Sequence, residues 1–205
     1  MHPFRFPLLA AMTLGCPIAG LAQTAVIDQS GDGHFAEVVQ GGSFDQRVSV
    51  QQIGSATIVD VTQEAPDAEA DLSLSGENLT ATLHQDGEAE SGLALTMEGS
   101  DGIVDALQSG DPGGSNFATV WQAGSGNSAS LSQYASAGMP NSIRLIQDGT
   151  ANVAILAQTG EGNTLDLSQL GADNFAAIDQ IGSGLGLGLI QNGGASITVT
   201  QTGSP

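Results

Sequence analysis

The chain predicts an all-β fold, a β-solenoid (β-helix) of about eight two-strand rungs with about 22 residues per rung and cross-β stacking. Three observations carry that prediction. A glutamine or a stand-in closes a short strand-like segment sixteen times, at Gln29, Gln40, Gln52, Gln63, Leu74, Gln85, Met97, Gln108, Gln122, Gln133, Gln147, Gln158, Gln169, Gln180, Gln191 and Gln201. The intervals sort by parity: within each successive pair of closures the gap is eleven residues, except for ten in the last pair, whereas the gaps between pairs run from eleven to fourteen. Every insertion therefore falls in one class of turn, as expected when the repeating unit is two strands with a fixed turn inside the rung and a variable one between rungs. The third observation is strict alternation. Counting back by twos from each closure gives Asn, a small or aliphatic residue, an aliphatic residue, then Gln, as in Asn152, Ala154, Leu156, Gln158 and Asn163, Leu165, Leu167, Gln169.

Period-2 alternation places those four positions on one strand face and leaves a mixed, often polar set on the other, such as Ser128, Ser130 and Ser132. A one-residue slip would reverse the faces, so agreement of phase along the chain fixes the register. The candidate functional residues are the inward amides Gln122, Asn127, Gln133, Asn141, Gln147, Asn152, Gln158, Asn163, Gln169, Asn174, Gln180 and Gln191. Each carboxamide carries two donors and an acceptor, so stacked copies can each donate to the next rung and accept from the previous one. The glycines two residues after a glutamine, Gly124, Gly149, Gly160, Gly171, Gly182 and Gly193, are expected to supply positive φ or close approach in the turns.

From the N-terminus, residues 1–22 read as a secretory signal peptide. Arg5 precedes an apolar run from Leu8 to Leu21, too short for a membrane span, and Gly20-Leu21-Ala22 offers small residues before a cut at Gln23. The lone Cys16 leaves with it, so the exported chain gains nothing from disulfides. Residues 23–115 read as degenerate acidic repeats and 116–205 as consensus repeats, one continuous solenoid over 23–203. Seventeen acids accompany Arg47 in the first stretch and five accompany Arg144 in the second; the chain has no lysine and a net charge of -19. That surface repels nucleic acid and anionic membrane. In the degenerate half, stacked carboxylates are expected to oppose self-association until screened. Neither end shows a capping segment, and open strand edges template head-to-tail addition.

An enzyme is not expected, and neither is a cofactor or a metal. His34 and His84 are the only histidines after the leader, no H-E-x-x-H, G-x-S-x-G or phosphate-cradling lysine loop occurs, and acid pairs such as Asp101 and Asp105 lack a nucleophilic or basic partner nearby in sequence. Disorder is disfavoured despite 29 glycines, because low-complexity sequence does not hold register across so many segments. Calcium-loaded nonapeptide solenoids need a nine-residue step that is absent, and ice binding needs a threonine array that Thr80, Thr82, Thr198 and Thr200 do not repeat on adjacent rungs. Phe117 and Trp121 share the outward face of one strand and are the expected lateral-packing or dye-binding groove.

The unit Q-x-G-x-x-N-x-A-x-x-x-Q, read from Gln147 to Gln158 and from Gln169 to Gln180, resembles the curlin repeat of bacterial curli amyloid subunits. The resemblance implies a secreted structural subunit, major or nucleator-like, exported via the periplasm and polymerised into extracellular fibres that support biofilm matrix, adhesion and surface colonisation. It implies self as the principal partner, with other curli-type subunits and outer-membrane secretion machinery, and no membrane insertion. In this chain a strand-like segment begins at Gln23, where the family carries an unstructured pore-targeting segment. The alternative reading is a monomeric secreted or surface-tethered β-solenoid adhesin.

Overall fold

The computed structural model describes residues 9–14, 23–41 and 45–204. The expected leader therefore lies outside the described residues except for one strand, β1 (Leu9–Leu14). The remaining strands fall into two parallel sheets by parity. The even sheet holds β2 (Gln23–Asp32), β4 (Gln46–Ser55), β6 (Glu69–Glu77), β8 (Glu90–Ser100), β10 (Ser115–Ser125), β12 (Asn141–Thr150), β14 (Thr164–Ala172) and β16 (Gly186–Asn192). The odd sheet holds β1 with β3 (Phe35–Gln40), β5 (Ile58–Gln63), β7 (Thr80–Gln85), β9 (Ile103–Gly110), β11 (Ser128–Ala135), β13 (Val153–Glu161), β15 (Phe175–Ser183) and β17 (Ser196–Thr202). Each rung is one even strand followed by one odd strand, from β2 and β3 to β16 and β17. The fold is the expected β-solenoid of about eight turns, and no helix occurs among the described residues.

Register follows the repeat. Gln122 pairs with Gln147 and Gln147 with Gln169 on the even sheet; Gln133 pairs with Gln158 and Gln158 with Gln180 on the odd sheet. Burial alternates residue by residue, so the two sheets face each other across one narrow core. Val50, Leu72, Leu95, Val120, Leu145 and Leu167 stack along the even wall, and Val61, Leu83, Leu131, Leu156 and Ile178 along the odd wall. Because every side chain repeats in register, the core is two aliphatic columns per wall and needs no large aromatic residue.

The turn inside each rung explains the constant eleven-residue gap. In the rungs with the eleven-residue gap it carries two positive-φ positions two residues apart, Gly31 and Gly33, Gly54 and Ala56, Gly76 and Asn78, Gly99 and Asp101, Gly124 and Gly126, Gly149 and Ala151, Gly171 and Asp173; in the last rung, where the gap is ten, the two, Gly193 and Gly194, are adjacent. The glycine expectation thus describes only the first of the two. At Gly149 a Cβ would be driven into the carbonyl of Gly171 on the next rung, so close approach as well as φ excludes a side chain. The second position is open, and there Asn, Asp or Ala accepts the left-handed conformation at some cost.

β1 runs beside β3, with Leu9 opposite Phe35 and Leu14 opposite Gln40. The segment read as part of a leader thus occupies an edge that was expected to be bare, because an open parallel edge offers unpaired backbone groups to any extended apolar strand. A cut after Ala22 would remove β1 and make β3 the edge.

Two substitutions two residues apart have opposite expected signs. Gly149→Ala is expected to destabilise the fold by more than about 2 kcal/mol, and Ala151→Gly to stabilise it by about 0.5–1 kcal/mol, the left-handed penalty less the added chain entropy. Denaturant unfolding of each variant checks both.

Candidate functional site

The amides expected to face inward are all buried, Asn116 included. The odd column is continuous. Gln40 donates through Nε2 to Gln63 Oε1 at 3.0 Å, and the relay continues through Gln85, Gln108, Gln133, Gln158 and Gln180 to Gln201 at 2.8–2.9 Å. The second amide hydrogen of each turns across the core to a carbonyl of the even strand: Gln63 to Arg47, Gln85 to Glu69, Gln108 to Gly92, Gln133 to Phe117, Gln158 to Ser142. One hydrogen joins rung to rung and the other joins sheet to sheet. This division satisfies the donors of a buried carboxamide that would otherwise cost about 1–3 kcal/mol per unpaired group.

The even column is interrupted. Gln29 donates to Gln52, and Gln122 to Gln147 to Gln169 to Gln191, but Leu74 and Met97 stand between the two runs. The interruption is apolar on both sides of that corner, because the residues opening the odd strands of the same rungs are Leu79 and Gly102 where later rungs have Asn127, Asn152 and Asn174. A Cβ at Gly102 would crowd the Met97 methyl and Gln122 Oε1. Gln122 Oε1 consequently faces a thioether that cannot donate, and it is buried without a partner. Within residues 23–115 the loss of closing glutamines is therefore confined to one corner, since Gln40, Gln63, Gln85 and Gln108 keep the opposite ladder intact, whereas asparagine is replaced at that opposite corner too, by Gln46, Ala68 and Ser91.

The asparagines do something the sequence reading did not foresee. Their oxygens accept from the following rung, the reverse of the glutamine direction: Asn152 N and Nδ2 both donate to Asn127 Oδ1, Asn174 N and Nδ2 to Asn152 Oδ1, and Ala195 N to Asn174 Oδ1. On the even sheet Asn163 N donates to Asn141 Oδ1 and Leu185 N to Asn163 Oδ1. Each asparagine also donates to turn carbonyls, as Asn127 does to Ala123 and Gly149. They bind the backbone where it leaves the turn, ahead of the regular strand ladder. The short side chain at the strand start was the available signal: it can reach local backbone that glutamine overshoots.

Outside the core, the acids lie on exposed faces and turns. Glu37 stacks on Asp60, while Arg47 pairs with Glu69 at 2.7 Å and Arg144 with Asp166 at 3.0 Å, each one rung apart and each largely exposed. Tyr134 donates from its hydroxyl to Asp111 at 2.8 Å, and that carboxylate holds the phenol above its ordinary pKa. Phe117 and Trp121 do share the outer face of β10; Phe117 covers Gly92 and walls a shallow groove with Asp67, Glu69, Asp71 and Glu90, while Trp121 is half-buried. His34 is buried, hydrogen-bonded to Thr57 Oγ1 at 2.7 Å and to the Ser30 carbonyl, a structural role at the opening of the first odd strand. Among the described residues no cluster of His, Cys, Asp and Glu is arranged to hold a metal ion.

A parallel two-sheet solenoid with buried carboxamide columns defines a stacked-repeat structural protein. Its strands β10 to β14 match a family model: residues 112–134 and 138–171 fit the curlin associated repeat, so the resemblance drawn from the sequence holds over those segments. That repeat family is one of structural subunits and not of enzymes. Comparison with curated proteins and with solved structures returns no match.

Gln158→Ala is expected to lower stability by about 1–3 kcal/mol, because it strands a donor on Gln133 and an acceptor on Gln180. In the even column, Leu74→Gln or Met97→Gln alone is expected to be destabilising. The double variant should recover at least about 1 kcal/mol relative to the sum, since it lets one relay run from Gln29 to Gln191. A double-mutant cycle by equilibrium unfolding checks that coupling.

Proposed function

We propose that this chain is a secreted structural subunit that assembles head-to-tail into curli-like amyloid fibres on the bacterial surface, where such fibres serve matrix formation, adhesion and colonisation. The observation that supports the reading best is the polarity of the glutamine relay. At its start Gln29 Oε1 and Gln40 Oε1 are buried acceptors without partners among the described residues. At its far end Gln201 Nε2 donates only to the Gly186 carbonyl, at 3.4 Å, which leaves an amide hydrogen over. A second copy stacked on the same period sets Gln201 on Gln40 and Gln191 on Gln29. Leu187, Leu189, Ile197 and Val199, half-buried at one end, then meet Ala25, Ile27, Ala36 and Val38 at the other. The joint repeats the contacts found between every pair of rungs, so the same free energy that stacks rungs within a copy stacks copies.

β1 stands in the way of that joint, since it lies on the β3 edge where β17 of the next copy would pair. Removal of the leader therefore sets the chain free to assemble. The even relay, unbroken from Gln122 to Gln191, and the consensus rungs of residues 116–205 support those rungs as the part that orders first, with the acidic rungs tempering the rate. Other curli-type subunits and an outer-membrane exporter are the partners this reading expects.

The test is electron microscopy and fibre diffraction on residues 23–205 at neutral pH, with residues 1–205 in parallel. The expected outcome is fibres with a meridional reflection near about 4.8 Å, formed at least about tenfold more slowly by the longer chain, as an occupied strand edge requires. A chain 23–205 that stays folded and monomeric for days defeats the fibre reading and favours the adhesin.

A further inference from the structure

The outward face of the odd sheet changes character half-way along the stack. On β3, β5, β7 and β9 it carries Glu37, Asp60, Glu64, Asp86 and Asp105, the third and fourth of these in the turns that follow their strands. On β11, β13, β15 and β17 the outward positions are Ser, Thr, Ala, Val, Ile, Phe and Tyr, with two carboxylates, Asp179 in the middle of the face and Glu161 at its margin, where β13 ends opposite Ser183. Ile155 is 48% exposed, Ile181 42% and Tyr134 41%, all large apolar groups on a flat parallel sheet. The even face of the same rungs is different, because the Arg144 and Asp166 pair occupies its middle and Asp148 its margin.

We propose that the outer face of β11, β13, β15 and β17 is a lateral contact through which one fibre pairs with a second fibre of the same chain. The proposal rests on the assembly reading above. The occupant is a second copy for reasons of charge. With a net charge of -19 and no lysine, two copies brought together elsewhere set carboxylate against carboxylate or must desolvate an arginine pair. On this face they do not. In a two-fold contact centred on β13 and β15, either direction of the second fibre sets Asp179 against an alanine, Ala157 or Ala177, and never against its own copy. The exposed side chains are short or branched, so pairing immobilises little rotamer freedom.

Area decides when pairing happens. Four rungs at about 4.8 Å by four outward positions cover roughly 400–500 Å² on each copy, below what holds a stable dimer of free subunits. Within a fibre the patch recurs every eight rungs on a rigid body, and the weak contacts act together. Pairing therefore follows polymerisation. Between patches the acidic rungs of the two fibres face one another, so added salt should strengthen the pairing by screening them.

Mass per length of fibres of residues 23–205, measured by scanning transmission electron microscopy at low and high salt, tests this. The unmodified chain is expected to double its mass per length as salt rises. Ile155→Glu with Ala177→Glu should hold it at the single-fibre value with elongation rate unchanged, and Ile190→Glu on the even face should leave the doubling intact. Unmodified fibres that stay single at every salt concentration overturn the lateral face and leave the assembly reading standing. An equal loss of doubling in the Ile190 variant overturns the choice of face. A chain that forms no fibres overturns both readings together.

Discussion

The carboxamide of an inward glutamine has two hydrogens, and the solenoid depends on sending them in perpendicular directions. One goes along the stack to the next glutamine and one goes across the core to the facing sheet, as Gln133 does to Gln158 and to the Phe117 carbonyl. Backbone bonds between parallel strands hold each sheet together, but they do nothing to hold the two sheets at a common height. The aliphatic columns are non-directional and would tolerate sliding. The cross-core donor forbids sliding, because a displaced rung would lose it for every glutamine in the column at once.

That constraint explains where the chain tolerates change. Leu74 and Met97 break the even ladder without breaking the fold, since the odd ladder passes the same rungs intact. The replacement is coordinated: the asparagine positions beside them become Leu79 and Gly102, and the corner turns from a hydrogen-bonded one into an apolar one. A half-satisfied amide pair is worse than none, and only Gln122 Oε1 at the boundary bears the mismatch. The opposed polarity of the asparagine and glutamine bonds has a related effect. Neighbouring rungs are held by bonds running both ways along the stack, as Gln158 donates forward to Gln180 and Asn174 donates back to Asn152.

Much of this was legible in the residues. Phase, rung length, inward amides and the parity of the turns followed from spacing alone, because a parallel in-register stack converts identity at a fixed interval into contact. Charge asymmetry was equally legible, though its placement was not. Sequence counting set seventeen acids in the first half of the expected mature chain. Which of them share a face, and that β11, β13, β15 and β17 present an almost uncharged one, depends on the direction each side chain points once the sheets close.

By itself the sequence determined the repeating unit, its register and the residues that stack, since periodicity of 2 along a strand and of about 22 along the chain admits one threading. Tertiary structure decided the rest. Which carbonyl each amide reaches across the core, the reversed direction of the asparagine bonds, the left-handed Ala56 and Ala151, and the pairing of Leu9–Leu14 with β3 all depend on distances between segments far apart in the chain. Those distances are set by packing two sheets against each other, and no spacing within one repeat encodes them.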